Sequence, residues 1–338
     1  MKLNATLYFT APGKVDIREE PVPEPQAGQV LVQTRFSAIS PGTEALIYRG
    51  LFPEDLSVDE TIPALAGRFA YPLKYGYCAA GHVTALGPGV DPGWLGRLVF
   101  AFHPHECYFT APVVDLLPVP EDIPAQEAVF LPNMETAVNL VMDGQPLLGE
   151  NVVVLGQGII GLLTAALLAR FPLAGLVTID RYALRRQASL ALGAAASLDP
   201  QDHGAAAIIQ RLMPDGADLC YELSGAPEVI NQAIALTRFD GRVVIGSWYG
   251  RKQAALDLGG RFHRSRIRLI SSQVSTLAPE LSGRWNKLRR FELAWQMLRL
   301  VQPAQLITQR FPIQKAARAY ELLDAAPEQT IQVILEYP

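Results

Sequence analysis

Residues 156 to 161 read Gly-Gln-Gly-Ile-Ile-Gly, with the glycines spaced G-x-G-x-x-G. That spacing suits an anion: Gly156 permits a tight turn, Gly158 lets backbone approach a pyrophosphate, and Gly161 lets helix and strand pack closely. An apolar VVVL run at 152–155 leads in and a helix from Ile159 leads out, so Gln157, Ile159 and Ile160 sit at a helix N-terminus rich in free N–H groups. Asp180 ends the next apolar run, VTID at 177–180. A carboxylate there accepts from ribose hydroxyls and repels a 2′-phosphate, so the motif predicts a nicotinamide dinucleotide, NAD rather than NADP. Arg181 and Arg185 argue the other way, because Arg neutralises a phosphate. The plainer alternative is a tight turn with Asp180 as a helix cap.

The flanking elements alternate. VVVL, VTID, DLCYEL at 218–223 and RVVIGS at 242–247 are separated by helical stretches from Ile159, through Arg181–Leu192 and through Pro227–Thr237, with a further helix at Ala125–Met142. Continuous apolar strands alternating with helices predict a doubly wound parallel sheet covered on both faces. Ligands of such sheets sit at the carboxyl ends of strands, so Ser224, Gly225, Ser247, Trp248 and Tyr249 are candidate cofactor or substrate contacts. The first 120 residues differ: short β runs such as QVLVQTRF at 29–36, with period-2 alternation, are broken by Pro and Gly. After about residue 274 helix and strand alternate to QVILEY. The expected organisation is a β-rich domain over 1–123 and 274–338, with an inserted dinucleotide domain over 124–273.

Composition narrows the class. Of the 338 residues 49% are hydrophobic and 18% charged, which describes a globular chain. A net charge of −4 argues against a nucleic-acid partner. No apolar run approaches the roughly 18 residues of a membrane span. Met1 to Thr10 lack the features of a signal peptide, and Cys78, Cys107 and Cys220 form no CxxC pair, so a cytoplasmic protein with free thiols is expected.

With the loop placed, the chain resembles the medium-chain dehydrogenase/reductase superfamily, the group of the zinc alcohol dehydrogenases. The likeness runs from EEPVPEPQAGQVLVQTRFSAIS through SPGTE at 40–44 and GYCAAGHVTALG at 76–87 to KAARAYELLDAAPEQTIQVIL. It implies a chaperonin-10-like catalytic domain with an inserted Rossmann domain, an active site in the cleft between them, and a homodimer. The zinc positions depart from the family. Its Cys-Gly-Thr-Asp type motif is replaced by Ser40-Pro41-Gly42-Thr43-Glu44, its Gly-His-Glu by Gly76-Tyr77-Cys78, and its third ligand region falls near Leu131-Pro132. The four-cysteine structural lobe is missing. The expectation is therefore no zinc, against one rival site from His103, His105 and Cys107 that Pro104 breaks up. SPGTEALIYRGLFP, YPLKYGY and SSQVSTLAPELSGRWNKLRR look closest to zinc-independent members resembling bacteriochlorophyllide a dehydrogenase, which oxidise a hydroxyethyl side chain to acetyl with NAD.

Without a metal, hydride transfer to a carbonyl still needs a group that stabilises the alkoxide and moves a proton. Thr43 matches the family's relay hydroxyl, Glu44 its orienting acid, and Tyr77 stands where the metal-ligating His would be. His103 and His105 are candidate general acid/base groups, since the reference pKa of imidazole is near 6.5. Each has a plain alternative: Thr43 as the cap of a helix starting at Glu44, Tyr77 as a packed aromatic bonded to backbone, the histidines as exposed loop residues, Cys78 as a small buried filler. Asn133, Glu135 and Thr136 open the helix that the resemblance places near the nicotinamide. Arg284, Trp285, Arg289 and Arg290 form either a docking patch for a substrate carboxylate or a solvated helix face.

The expected function is a zinc-independent, NAD-dependent interconversion of a secondary alcohol and a ketone on a sizeable small-molecule substrate, a (bacterio)chlorophyllide-like compound among the candidates. An NADPH-dependent quinone or enoyl reductase is the enzymatic alternative. A non-catalytic, redox-sensing NAD-binding protein would keep the glycine loop and Asp180 yet need none of Thr43, Tyr77 or His103.

Overall fold

The computed structural model describes residues 3–53 and 62–338; Met1 and Lys2, part of the N-terminal stretch weighed above, lie outside the described residues. The chain divides into two compact units, Met1–Pro132 with Gln302–Pro338, and Asn133–Val301. These boundaries fall later than the expected 123/124 and 273/274. Residues 125–128 belong with the first unit because they pack on its strands, and residues 287–301 with the second because they pack on the helix that follows the glycine loop.

In the first unit, β1 (Leu3–Ala11) and β2 (Lys14–Pro21) form an antiparallel hairpin. Strand β3 (Gln29–Ala38) alternates buried and half-buried side chains as its sequence period predicts. Then follow α1 (Thr43–Tyr48), β4 (Ala79–Leu86), β5 (Leu98–Ala101), β6 (Tyr108–Pro112), β7 (Leu116–Pro118) and α2 (Ala125–Ala128). The expected single helix over 125–142 is two helices, because α3 (Leu131–Gly144) restarts at Pro132, whose missing N–H is tolerated only in a first turn.

The second unit carries β8 (Asn151–Leu155), α4 (Ile159–Leu168), β9 (Gly175–Ile179), α5 (Ala183–Ala191), β10 (Ala196–Leu198), α6 (Ala205–Leu212), β11 (Ala217–Glu222), α7 (Val229–Leu236), β12 (Thr237–Ile245), β13 (Arg268–Ser271) and α8 (Lys287–Val301). All six strands are parallel, in the order β10-β9-β8-β11-β12-β13. The order reverses at β8, with β9 on one side and β11 on the other, so the carboxyl end of β8 is the switch point where such sheets bind ligands. Two apolar clusters, around Val153, Ile179 and Val243 on one side and Leu140, Val154 and Val244 on the other, sandwich the sheet.

The chain then returns to the first unit with β14 (Ile307–Pro312), α9 (Ala316–Ala325) and β15 (Gln332–Glu336). Strand β15 pairs antiparallel with β3 and parallel with β14, closing a seven-stranded sheet in which β3 also pairs β4 and β6. Among the described residues no helix is long and apolar enough to cross a membrane.

The expected basic patch on α8 is only partly a patch. Arg289 lies over the Trp285 ring at 4.1 Å, but Arg290 is fully buried. Its guanidinium donates to Glu135 Oε1 at 2.8 and 3.1 Å, to Asn139 Oδ1 at 2.5 Å, and to the carbonyls of Thr276 and Val274. The charge is thus spent fastening α8 and the 274–276 segment to α3. Removing one partner of a buried ion pair leaves the other uncompensated, at a cost of about 3–5 kcal/mol. Arg290→Met should lower the unfolding free energy by that order in a urea titration, and adding Glu135→Leu should recover most of the loss.

Candidate functional site

The glycine loop starts where β8 ends. Gly156 has φ +91°, and a Cβ on it would stand 2.5 Å from the Leu223 carbonyl oxygen; a Cβ on Gly161 would stand 1.9 Å from the Gly156 oxygen. Both positions admit only glycine. Gly158, at the N-cap of α4, is different: a Cβ there would meet no protein atom within 4 Å. The room over Gly158 therefore lies open while the loop beneath is fixed, which is the cradle a pyrophosphate requires. Ile159, the first residue of α4, is buried and Ile160 half-buried.

Asp180 joins loop and strand. It is buried, its Oδ2 accepts the Gln157 N–H at 2.7 Å, and its Oδ1 accepts the Tyr182 N–H at 2.8 Å. The cap alternative and the ribose-acceptor reading are thus not exclusive, since each carboxylate oxygen has a second lone pair to offer. Gln157 is fully buried, bonded through Nε2 to the Val154 and Gly156 carbonyls, and its Oε1 has no partner. Arg181 and Arg185 lie on the Tyr182 ring, at 4.7 and 4.8 Å from its centroid. Burial lowers the Arg185 pKa, although Asp180 opposes the shift. Arg186, which the sequence did not single out, donates to the Asp180 carbonyl and pairs with Asp199 at 2.9 Å.

At the ends of β11 and β12 the expected serines gather around an unexpected acid. Glu222 is fully buried; its Oε1 accepts from the Ser224 N–H at 2.8 Å and from the Ser224 hydroxyl, and its Oε2 from the Tyr249 hydroxyl. Ser247 Oγ accepts the Gly225 N–H at 2.9 Å. Burial and the Glu222 bond raise the Tyr249 pKa, so this phenol stays protonated. Trp248 is 43% exposed and offers an apolar face beside these groups. An acid at the carboxyl end of a parallel strand was the available signal for Glu222.

In the first unit Glu44 is the centre. It is fully buried on α1 and receives the Ser40 N–H at 2.8 Å on Oε1. On Oε2 it receives His105 Nε2 at 3.1 Å and the Tyr320 hydroxyl. His105 is fully buried and uses its other nitrogen on Ser37 Oγ at 2.6 Å, which in turn meets the Tyr337 hydroxyl at 2.7 Å. The plain alternative of an exposed loop histidine fails for His105, whose two ring nitrogens are both taken up inside the unit. A Cβ on Gly76 would stand 2.6 Å from the His105 ring, so the glycine makes room for it. Thr43 is not a cap: α1 starts at Thr43 itself, Gly42 holds the N-cap position, and no side chain caps the helix. Its hydroxyl lies near the Tyr77 phenol and favours its ionised form, while the Tyr77 hydroxyl itself donates to Ser40 Oγ at 2.6 Å. Burial raises the Tyr77 pKa and keeps it a donor. Cys78 is buried and its thiol pushed well up.

His103 lies apart from that network. Its ring stacks on Phe109 at 4.0 Å, and Nδ1 faces Glu106 Oε1 at 3.3 Å and the Pro104 carbonyl at 3.4 Å. Burial lowers its pKa to about 3. Glu106, another acid the sequence reading passed over, is held by Asn4 at 3.0 Å, Thr6 at 3.3 Å and Lys74 at 3.4 Å. Cys107 packs in the apolar cluster with Leu7 and Tyr320. His103, His105 and Cys107 thus turn to different partners and do not converge, and no group of three metal-capable side chains occurs among the described residues.

A family profile described as zinc-binding dehydrogenase matches residues 160–291. The starvation-sensing protein RspB of Escherichia coli K12 is 22% identical over 98% of this chain and 99% of its own. L-threonine 3-dehydrogenase of Stenotrophomonas maltophilia is 24% identical over 68% of this chain and 72% of its own. Among solved structures, the rspB alcohol dehydrogenase of E. coli CFT073, complexed with NADH, superposes with a TM-score of 0.80 at 20% identity, covering 99% of both chains. A zinc-binding dehydrogenase-like protein of Sinorhizobium meliloti 1021, bound to NADP, gives 0.78 at 19% identity over 99% of this chain and 100% of that one. The chain thus has the fold of these solved structures, and its residues 160–291 are similar to those of zinc-binding dehydrogenases.

Proposed function

We propose that this protein is an NAD-dependent oxidoreductase that interconverts a secondary alcohol and a ketone, with proton handling by hydroxyl side chains instead of a metal. The observation that carries the cofactor half is the fixed loop with open room over Gly158, tied to Asp180 through the Gln157 N–H. The residues fit the dinucleotide: α4's N-terminus for the pyrophosphate, Asp180 for the ribose hydroxyls. When bound, the nicotinamide accepts or gives the hydride. The twin cations on Tyr182 are compatible with a 2′-phosphate, so Asp180 carries the preference for NAD.

Zinc does not fit the donor set. Ser40 and Tyr77 stand where the superfamily resemblance places metal ligands, and they hydrogen-bond to each other. A phenol held protonated and a serine hydroxyl are poor zinc ligands beside thiolate and imidazole. In our reading Thr43, Tyr77 and Ser40 form a cluster of hydroxyls in which Tyr77 donates to Ser40 and Thr43 lies beside the phenol. Glu44, locked by His105 and Tyr320, holds the Ser40 backbone and so positions the cluster. A secondary alcohol agrees with the name of the L-threonine 3-dehydrogenase relative. A hydroxyethyl (bacterio)chlorophyllide-like compound is one member of that class; Arg290, expected among its carboxylate contacts, is occupied by Glu135. Assembly as a homodimer and a cytoplasmic setting belong to the same reading and rest on the superfamily resemblance and the sequence.

Gly158→Ala introduces no clash in the protein alone yet fills the pyrophosphate's room. It should leave thermal unfolding unchanged and weaken NADH binding at least ~10-fold, about 1.4 kcal/mol, in a fluorescence titration; unaltered NADH affinity would remove the cofactor assignment. Tighter binding of NADPH than NADH would overturn the Asp180 argument. Metal analysis of the purified protein should find less than a stoichiometric zinc, and one zinc per chain would overturn the hydroxyl reading.

The low pKa of His103 has a stability consequence. Its folded value of about 3 lies below the unfolded value near 6.5, so below pH 6.5 the unfolded chain takes up a proton that the folded chain refuses. The stability this residue contributes is present above pH 6.5 and drains away as pH falls toward 3, by up to about 1.4 kcal/mol per pH unit. Urea titrations at pH 7 and pH 5 should show a larger drop for wild type than for His103→Phe; equal drops would mean that His103 is protonated in the folded state.

A further inference from the structure

His103 and Glu106 form a pair that neither the cofactor site nor the hydroxyl cluster uses. The two groups within reach of His103 Nδ1 are the Pro104 carbonyl, which can only accept, and Glu106, which can only accept while ionised, the form that Lys74, Asn4 and Thr6 favour against its burial. In the neutral ring the proton must therefore sit on Nδ1, and Nε2 is left as a bare acceptor. Among the described residues Nε2 has no hydrogen-bond partner, and the His103 side chain retains 14% exposure. Phe109 covers one face of the ring at an interplanar angle of 15°, which fixes its plane. Glu106 is held as well: Oε2 is shared by Asn4, Thr6 and Lys74. Lys74 is itself anchored to Glu20 at 2.9 Å, and the Tyr8 hydroxyl holds the far oxygen of Glu20 at 2.6 Å. So many fixed donors around one carboxylate are more than a surface loop needs. They resemble the support a site gives a residue whose ring orientation matters.

The place is also apt. Strand β5 pairs with β4 up to Ala101↔Ala79. His103 follows the last paired residue of β5 by two positions, and Tyr77 precedes the first paired residue of β4 by two. His103 and Tyr77 thus stand at the same end of the strand pair. An uncharged acceptor there favours a hydroxyl and disfavours a carboxylate, which would meet lone pair with negative charge.

We infer that His103 Nε2 accepts a hydrogen bond from a hydroxyl of the alcohol substrate, and that Glu106 is the positioning residue that sets its tautomer. The ligand half rests on the oxidoreductase reading above; the tautomer half does not.

The two halves are tested separately. In protein labelled with ¹⁵N-histidine, the His103 ring at pH 7 should show a protonated Nδ1 and an unprotonated Nε2. Glu106→Gln, whose amide can donate to Nδ1, should move the proton to Nε2. A ring that is Nε2-protonated or doubly protonated in wild type overturns the pair. For the ligand half, NAD⁺ reduction is followed with a panel of secondary alcohols including L-threonine and 2,3-butanediol. On an alcohol that wild type oxidises, His103→Phe and Glu106→Gln should each raise KM at least ~10-fold with kcat within ~3-fold, the pattern of a lost binding contact. His103→Gln, which restores an acceptor, should recover part of the loss, and circular dichroism confirms that each variant is folded. Unchanged KM in folded His103→Phe overturns the substrate contact. If wild type oxidises no alcohol in the panel while still binding NADH, the alcohol reading and the ligand half with it fail, and the NMR result alone decides the tautomer.

Discussion

A carboxylate placed out of reach of water must be met by donors, and Glu44 is met from three separate parts of the first unit. The Ser40 N–H comes from the turn before α1, His105 from the segment after β5, and the Tyr320 hydroxyl from α9. Each unmade bond would leave a buried charge undersatisfied at several kcal/mol, so the three segments cannot drift independently. The hydroxyl cluster around Tyr77 inherits its geometry from this knot, since Ser40 contributes its backbone to Glu44 and its side chain to Tyr77. The glycine at position 76 belongs to the same constraint, because a larger residue would push the His105 ring off the carboxylate.

The second unit solves the same problem with opposite charge. Arg290 is surrounded by Glu135, Asn139 and two carbonyls, and Arg242 is clamped by both oxygens of Glu150 together with the Gly144 and Gln145 carbonyls. Both guanidiniums bind α3 or its end, one near its start and one at its finish. A helix pinned at both ends by planar, multidentate donors is held in rotation as well as in position.

What could be read in advance was what is local. The glycine loop, the strand before it and Asp180 lie within one strand-helix-strand segment, and their chemistry follows from spacing alone. The alternation of β3 and the continuous apolar runs of β8, β9 and β11 fixed the two kinds of sheet for the same reason. Glu44, by contrast, gave no hint of His105, which lies 61 positions away, or of Tyr320, 276 away. Glu106 and Glu222 pass for surface residues in a linear reading, since an acid beside an apolar run is ordinarily a solvated edge. Arg290 sits in a Lys- and Arg-rich stretch that reads as an exposed helix face, and only its neighbours on α3 reveal the burial.

The pairing of β15 with β3 carries an implication for how the chain is made. Tyr337 reaches Ser37 across 300 positions, and Gln332 reaches the Ile39 carbonyl across 293. During synthesis the contiguous segment 133–301 has all its strands once it leaves the ribosome, whereas in the first unit Phe36–Ala38 of β3 must wait for β15 before they are paired on both sides. Contacts this far apart in sequence also close slowly. Loss of β15, or a translational pause just before it, therefore strikes first at a sheet begun some 300 residues earlier.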